Sequence, residues 1–562
     1  MKRLFTTLFI LSFISASFIS ASGFAQNANR EVIMFEEFNY TIGELPPGWV
    51  IDAEQPPQWA VTNTAYAGST APELTMNFSF AAGLSRLVSA PVDVTGYTDL
   101  KLKMRQYLIN YEMDFGEVIG IDITFDGGAT WQTLFERTIS TLNIAPQDFE
   151  FYFTVPQNAT ELQYAFRFEG NNYAINMWLI DDVSLETVAG NDLVAATLSG
   201  NTTPVENVES SYTVEVVNGG SSMQPAYTVK LMKEGGVELA SVAGEPIIFA
   251  EMQSYTLTWT PDAEDLGNSY LYAVVEFAGD ELPENNVSDS MVIVVQTSDI
   301  VPVVIGDGEI PMFSLPYNMF PLHSLSQTIY YPEEIGVSDR YLKGILYTSH
   351  FDYDKEGIHL QIMLGETDND NVMDNWLDPS TFTLVFDGLV NFGKGLTETF
   401  IPFDNDYLYT GRNLVVYSAK SFSEQVFLTP FMASYDSLSS RSRAADRDSE
   451  PFNLMSPPEF GWSLDYYPNI TLFYSTDPTS AGNISNDISL QVYPNPANSM
   501  LYIMAEEKIQ SVKVLNTLGQ EIYNRSTTGD MNEMNVSSFN PGIYLLQVYT
   551  KKGMVTKKVR IK

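Results

Sequence analysis

The sequence predicts an all-β protein built of tandem antiparallel β-sandwiches, on three observations. Short apolar runs alternate with polar residues, as in Leu100-Lys101-Leu102-Lys103-Met104 and Phe149-Glu150-Phe151-Tyr152-Phe153; a period of two puts every second side chain on one face of a strand. Turn signals break these runs about every ten residues, the spacing of sandwich strands. No long, capped amphipathic helix is present, and the 31 Tyr and 34 Phe favour strands.

The whole chain sets the bounds. Its 562 residues exceed what a single core usually organises. The absence of cysteine excludes disulfide staples, zinc–thiolate sites and cysteine nucleophiles. With 70 acidic and 29 basic residues the net charge is −41, which repels phosphate backbones and makes nucleic acid an unsuitable partner. Divalent cations suit such a surface, as does simple solubility outside the cell.

Met1-Lys2-Arg3 leads into the apolar run Leu4 to Ile19 and a small-residue stretch ending at Ala25. Residues 1–25 therefore read as a secretory signal peptide, cut near Ala25/Gln26. No later stretch offers ~20 unbroken apolar residues, so the mature chain is expected to have no transmembrane span. Breaks at Val188–Asp192, Gln296–Asp299 and Ser475–Asp487 then divide the chain into pieces 30–187, 191–296, 301–475 and 484–562.

The first piece opens on Phe35-Glu36-Glu37-Phe38-Asn39, continues with Leu45-Pro46-Pro47-Gly48-Trp49 and closes on Trp178-Leu179-Ile180-Asp181-Asp182-Val183. This order resembles the jelly rolls of cleaved-adhesin and MAM-like domains. The resemblance implies a structural calcium ion held by acidic residues of the first and last strands, here Glu36, Asp181 and Asp182. Calcium takes six to eight oxygen ligands, so backbone carbonyls have to complete such a site; the alternative is that these carboxylates simply face solvent. Thr124-Phe125-Asp126-Gly127-Gly128-Ala129-Thr130-Trp131 fits the Asp-box pattern of sialidase propellers. A propeller needs repeated blades and this chain has one copy, so the segment is read as a hairpin turn.

The second piece ends on Asp280-Glu281-Leu282-Pro283-Glu284-Asn285-Asn286 before a last apolar strand. It resembles CARDB-type immunoglobulin-like domains, with a cation turn at Asp280, Glu284 and Asn286 as one option. The third piece, 301–475, resembles a β-sandwich module that accompanies sorting domains and has no assigned role. Its loop Glu366-Thr367-Asp368-Asn369-Asp370, with Asp374, gathers carboxylates between strands; Asp368, Asp370 and Asp374 form a second candidate calcium loop, although it lacks the spacing of an EF-hand. Tyr317, Tyr330, Tyr331, Tyr341, Tyr347, Phe351 and Tyr353 would stack on sugar faces if exposed, and fill a core if not. The polar stretch Ser437 to Glu450 is expected to be a mobile loop.

The last piece carries Leu490-Gln491-Val492-Tyr493-Pro494-Asn495-Pro496, Leu518-Gly519-Gln520, Pro541-Gly542-Ile543-Tyr544 and a terminal Lys557-Lys558-Val559-Arg560-Ile561-Lys562. Pro494 and Pro496 suit a strand entry, and the Leu518 and Pro541 segments suit turns. With nine Lys/Arg against six Asp/Glu it is net +3, leaving −44 for the chain before it. The motifs resemble the type A C-terminal sorting domain of the type IX secretion system. That implies partnership with the secretion machinery, passage through the outer membrane, and a cell-surface or extracellular location.

Catalytic signatures are scarce. His323, His350 and His359 all fall in 301–475, and no His-Glu-x-x-His, Gly-x-Ser-x-Gly or P-loop occurs. A carboxylate pair for glycoside hydrolysis needs no local motif. The reading is a secreted, surface-anchored, non-catalytic binding protein for a host or matrix protein or a glycan, with calcium as its only expected cofactor. The alternative is a secreted hydrolase, or an accessory subunit of one, with its site in 301–475.

Overall fold

The computed structural model describes residues 30–477 except 69, 111–115, 141, 427–428 and 438–439, and, further on, 490–493, 500–505, 509–516, 521–526, 533–540, 542–550 and 553–561. The signal segment 1–25, most of the 475–487 break, Pro494, Pro496, Leu518–Gln520 and Pro541 lie outside the described residues. The chain divides into two compact units, one ending at Thr476 and the other beginning at Asp477. Both are antiparallel β throughout. Among the described residues, the α-helix Pro332–Ile335 and three 3₁₀ turns are the only helices. No helix among them is long and apolar enough to cross a membrane.

The first unit holds three sandwiches. In the first, a six-stranded sheet runs Ile144–Thr154, Asp99–Asn110, Ile175–Thr187, Glu73–Asn77, Gln58–Thr62, with Val32–Glu36 also on Ile175–Thr187. It faces a second six-stranded sheet centred on Glu161–Asn171. The alternation works as expected: Leu100, Leu102, Met104, Phe149, Phe151 and Phe153 are buried between the sheets with Trp49, Trp59 and Trp178. The second sandwich pairs a three-stranded with a four-stranded sheet around Tyr212, Val214, Leu231, Ala273 and Ile293.

The third sandwich is larger. A seven-stranded sheet that includes Arg340–Phe351, Gly395–Tyr409 and Ile470–Ser475 packs on a six-stranded sheet. The latter runs Thr383–Phe392, Lys355–Thr367, Asn413–Ser421, His323–Tyr330, Ser442–Arg447, Trp462–Leu464. The second unit is a small sandwich of three and four strands with Leu501, Ile503, Val512, Val514, Leu546 and Val559 inside.

One expectation is corrected here and one alternative is decided. The stretch Ser437 to Glu450 contains the strand Ser442–Arg447, paired with His323–Tyr330. Two of its arginines find their partners within the fold. Fully buried Arg441 donates to both oxygens of Glu334 (2.9 and 2.7 Å) and lies 3.3 Å from the Tyr467 ring centroid, while Arg443 donates to Met373 O at 2.9 Å. Nor do the tyrosines of this sandwich form an exposed strip. Tyr317, Tyr330, Tyr347 and Phe351 are core residues, and Tyr330 OH reaches Pro468 O at 3.0 Å. Of the seven aromatics only Tyr353 is exposed.

Candidate functional site

The side chains singled out in the first sandwich separate into two places. Glu36 is half-buried at the end of Val32–Glu36, where it accepts from Phe38 N at 2.8 Å and Tyr40 OH at 3.0 Å. Burial raises its pKa. Asp181 and Asp182 lie mid-strand in Ile175–Thr187, and both are buried. Asp181 is 1% exposed, and its Oδ1 has no hydrogen-bond partner. Burial pushes its pKa up to about 8, reinforced by the neighbouring charges of Asp182 and Glu73 and opposed by Arg105. No side chain fits at Gly68, where a Cβ would collide with the Asp181 carboxylate, so the Gly68 backbone lies directly against it. Asp182 faces Arg105 at 3.7 Å.

Glu73 was not legible as a site residue. It is fully buried, and its two oxygens accept from Tyr66 N at 2.8 Å and Ala67 N at 2.7 Å. The acidic neighbours of Asp181 are thus Asp182 and Glu73, not Glu36. An orphaned buried carboxylate oxygen beside a second buried carboxylate suits a hard cation. Among the described residues, though, no three acidic or histidine side chains converge as a metal site.

The carboxylates of the second candidate loop are tied to the neighbouring 410–413 segment. Asp368 pairs with Arg412 at 2.7 Å, Asp370 accepts from Asn413 Nδ2 at 3.2 Å, and Glu366 accepts from Thr410 N and Arg412 N at 2.9 and 3.0 Å. Asp374 is exposed, with Arg443 as its cationic neighbour. The turn of the second sandwich is likewise occupied: Asp280 accepts from Leu193 N and Leu282 N, both at 2.8 Å. The Asp-box is a closed turn. Asp126 accepts from Thr130 N, Thr130 Oγ1 and Thr124 Oγ1 at 2.8, 2.6 and 2.7 Å, bonds that hold its pKa down to about 2.

The three sandwiches touch through seams that mix polar bonds with apolar packing, Tyr152 lying against Val194, Ala196 and Val217. Asp352, 3% exposed, accepts from Tyr107 OH at 2.7 Å and Asn143 Nδ2 at 3.0 Å across the first and third sandwiches. His350 is buried two residues away, where burial lowers its pKa to about 4. Tyr152 meets Phe249 edge-on at 6.1 Å between the first and second, and Thr202 donates to Glu398 at 2.7 Å between the second and third.

The other two histidines share one exposed sheet face. Register places Leu389, His359, Ser421, His323 and Arg447 side by side across five strands of the six-stranded sheet of the third sandwich. The next row on that face carries Asp387, Gln361, Ala419 and Leu325. His323 Nδ1 is 3.1 Å from Ser421 Oγ; His359 Nε2 is 2.6 Å from Asp387 Oδ1, and Gln361 Nε2 donates to Asp387 Oδ2 at 3.1 Å. Burial, with Lys420 and Arg447 nearby, lowers the His323 pKa. Beyond these rows the face is roofed, as Trp376, Phe382, Phe452 and Leu454 pack on Leu325, Met363, Tyr417 and Ala419. Arg447 stacks on Phe452 at 4.2 Å and donates to Glu450 O and Pro451 O, holding the roof's rim. A polar shelf therefore ends against an aromatic wall.

Comparison with known proteins adds one assignment. Residues 491–562 match the family model of the secretion system C-terminal sorting domain. The chain is accordingly a secreted protein that the type IX sorting machinery delivers to the cell surface or beyond. No curated protein matches the chain. Solved structures include a CARDB domain from Pyrococcus furiosus in complex with di-metal ions, at 22% identity over 19% of this chain and 91% of that one, TM-score 0.17. The K1 cleaved adhesin domain of Lys-gingipain from Porphyromonas gingivalis gives 13% identity over 27% and 97%, TM-score 0.22. A Bacteroides uniformis beta-glucuronidase gives 11% identity over 47% of this chain and 32% of that one, TM-score 0.25. These likenesses concern fold and carry no argument about ligand or activity.

Proposed function

We propose that this is a non-catalytic binding protein displayed outside the cell, whose three fused sandwiches hold the outer sheet face of the third toward a protein or glycan ligand. The observation that supports this reading is the shelf itself: an exposed row of hydrogen-bonding side chains beside an aromatic wall, on strands rather than loops. Groups already tied to one another lose little freedom when a ligand arrives. The seams at Asp352, Tyr152 and Glu398 give that face a rigid mount.

A structural cation at Asp181 and Glu73, with neighbouring carbonyls, belongs to the same proposal. It would relieve the orphaned Asp181 oxygen beside Gly68.

One contact favours a second reading. Ser421 bonded to His323, with Asp448 among the charges acting on that ring, has the membership of a nucleophile–base–acid set. A flat, open shelf offers no water-excluded cleft for it, so hydrolysis ranks second.

The test is an array of matrix proteins and glycans probed with the full chain, with and without calcium, beside labelling by a serine-hydrolase fluorophosphonate probe. Saturable binding without labelling supports the binder. Labelling lost in Ser421→Ala supports the hydrolase. Neither result anywhere on the array overturns both.

A further inference from the structure

We propose that the open shelf formed by His359, Ser421, His323, Asp387 and Gln361, with Phe452 as its wall, takes a neutral oligosaccharide; this rests on the binding reading above and gives it a ligand class.

Size comes first. Neighbouring strands stand about 4.8 Å apart, so His359 to His323, two strands over, spans about 10 Å. That is the length of a disaccharide, not of a single hydroxyl or a folded protein epitope.

The chemistry agrees. A sugar presents C–H groups on the faces of its ring and hydroxyls around its edge. An aromatic ring packs the first, and a row of mixed donors and acceptors serves the second. The shelf supplies a carboxylate, an amide, a hydroxyl and two imidazoles, each able to accept or share a hydroxyl proton. Phe452, half-buried and backed by the Arg447 guanidinium, supplies the apolar side. The His359 and Asp387 side chains are 40% and 45% exposed, so the shelf is reachable without opening the roof.

Charge narrows the class. The chain ahead of the sorting domain carries −44, and Asp387 sits in the shelf itself. Burial and the nearby Lys420 and Arg447 lower the His323 pKa. Lys420 is turned to the opposite face, where it is buried and donates to Met319 O and Pro321 O. Arg447, the one cation of the row, is committed to Glu450 O, Pro451 O and the Phe452 ring, so a sulfated or uronic saccharide would meet a negative chain with no uncommitted cation in the row, whereas a neutral one meets no such barrier.

The chain has three histidines, which makes the experiment internally controlled. The full chain, labelled at histidine, is titrated with cellobiose, maltose, lactose and chitobiose and their tetrasaccharide homologues while the imidazole signals are followed by NMR. The expected result is that one of these sugars moves the His323 and His359 signals together and leaves buried His350 unmoved. Gln361→Ala and His359→Ala should each weaken that sugar's binding at least tenfold with an unchanged melting temperature. A sugar that binds without moving either signal, and binds Gln361→Ala as well as the parent, overturns the shelf while leaving the binding function standing. Binding confined to matrix proteins or to acidic glycans overturns the ligand class. Binding to nothing on either panel overturns both.

Discussion

Asp181→Asn removes a carboxyl whose proton the fold retains well into the neutral range. An aspartate in the unfolded chain titrates near ~3.9, whereas burial carries Asp181 to about 8 in the cation-free fold. Between those values the unfolded state gives up a proton that the folded state keeps. Stability from this group is therefore full below pH ~4 and falls as pH rises, by about 1.4 kcal/mol per unit, until it is lost near pH 8. Asparagine has no proton to lose. The difference in unfolding free energy, variant minus parent, should thus climb with pH and gain about 3 kcal/mol from pH 5 to pH 7.

The assay is urea unfolding in a chelator at half-unit pH steps, and taking the difference between the two proteins cancels every other titrating group. With calcium in place of chelator the sign reverses: a cation at Asp181 and Glu73 stabilises the parent by mass action and leaves the variant where it was. A variant less stable than the parent at pH 7 in chelator would refute the reasoning. Asp181 would then be ionised and compensated by Arg105 without any cation.

Three further outcomes follow from named contacts. Asp352→Ala leaves Tyr107 OH and Asn143 without their acceptor in the seam between the first and third sandwiches, and should cost ~1–3 kcal/mol in thermal or denaturant melts. His350 stays neutral down to about pH 4 in the fold, while the unfolded chain takes up its proton near ~6.5. Acidifying from 6.5 to 4 should cost the parent about 3 kcal/mol, and His350→Gln should abolish that loss in the same pH series. Arg441→Lys keeps the charge but forfeits the contacts of Nη1 with both Glu334 oxygens and the stack on Tyr467; with Arg441 buried and Glu334 partly exposed, the loss should be about 1–3 kcal/mol by calorimetry.

The strands were legible because period-two alternation is a direct print of a half-buried sheet, as Leu100 to Met104 and Phe149 to Phe153 show. The tyrosines stayed undecided between core and surface because a phenol is compatible with either side of a sheet. Tyr330 OH reaches Pro468 O from inside the core, while Tyr317 and Tyr347 are buried on the strength of their rings alone, their hydroxyls lacking a partner among the described residues. A signal was present for Tyr347, which shares the parity of buried Ile345 and Phe351 in Arg340–Phe351 and must face inward with them. Ser437 to Glu450 misled for the opposite reason. Its arginines look solvated in a linear reading, and what buries them — Glu334, Tyr467, the carbonyls of 372 and 373 — lies far away in sequence. Glu73 escaped notice likewise, because only the fold brings its carboxylate beside Asp181.

The shelf shows why a site of this kind leaves so little trace in sequence. His323, His359 and Ser421 are separated by tens of residues and belong to no motif; antiparallel register alone sets them in a row. Strand register is fixed by the buried face, where Leu360, Ile362, Leu414 and Val416 are locked into the core, and a one-residue slip would send every shelf residue inward. The apolar half of the sheet thus determines the geometry of the polar half. The bonds His359–Asp387–Gln361 and His323–Ser421 then fix the rotamers before any ligand arrives. What a ligand gains by meeting preorganised groups it partly loses by displacing water from them, so a single shelf should bind weakly and depend on repeated engagement. If copies stay attached to one cell surface, weak sites of that kind would act together.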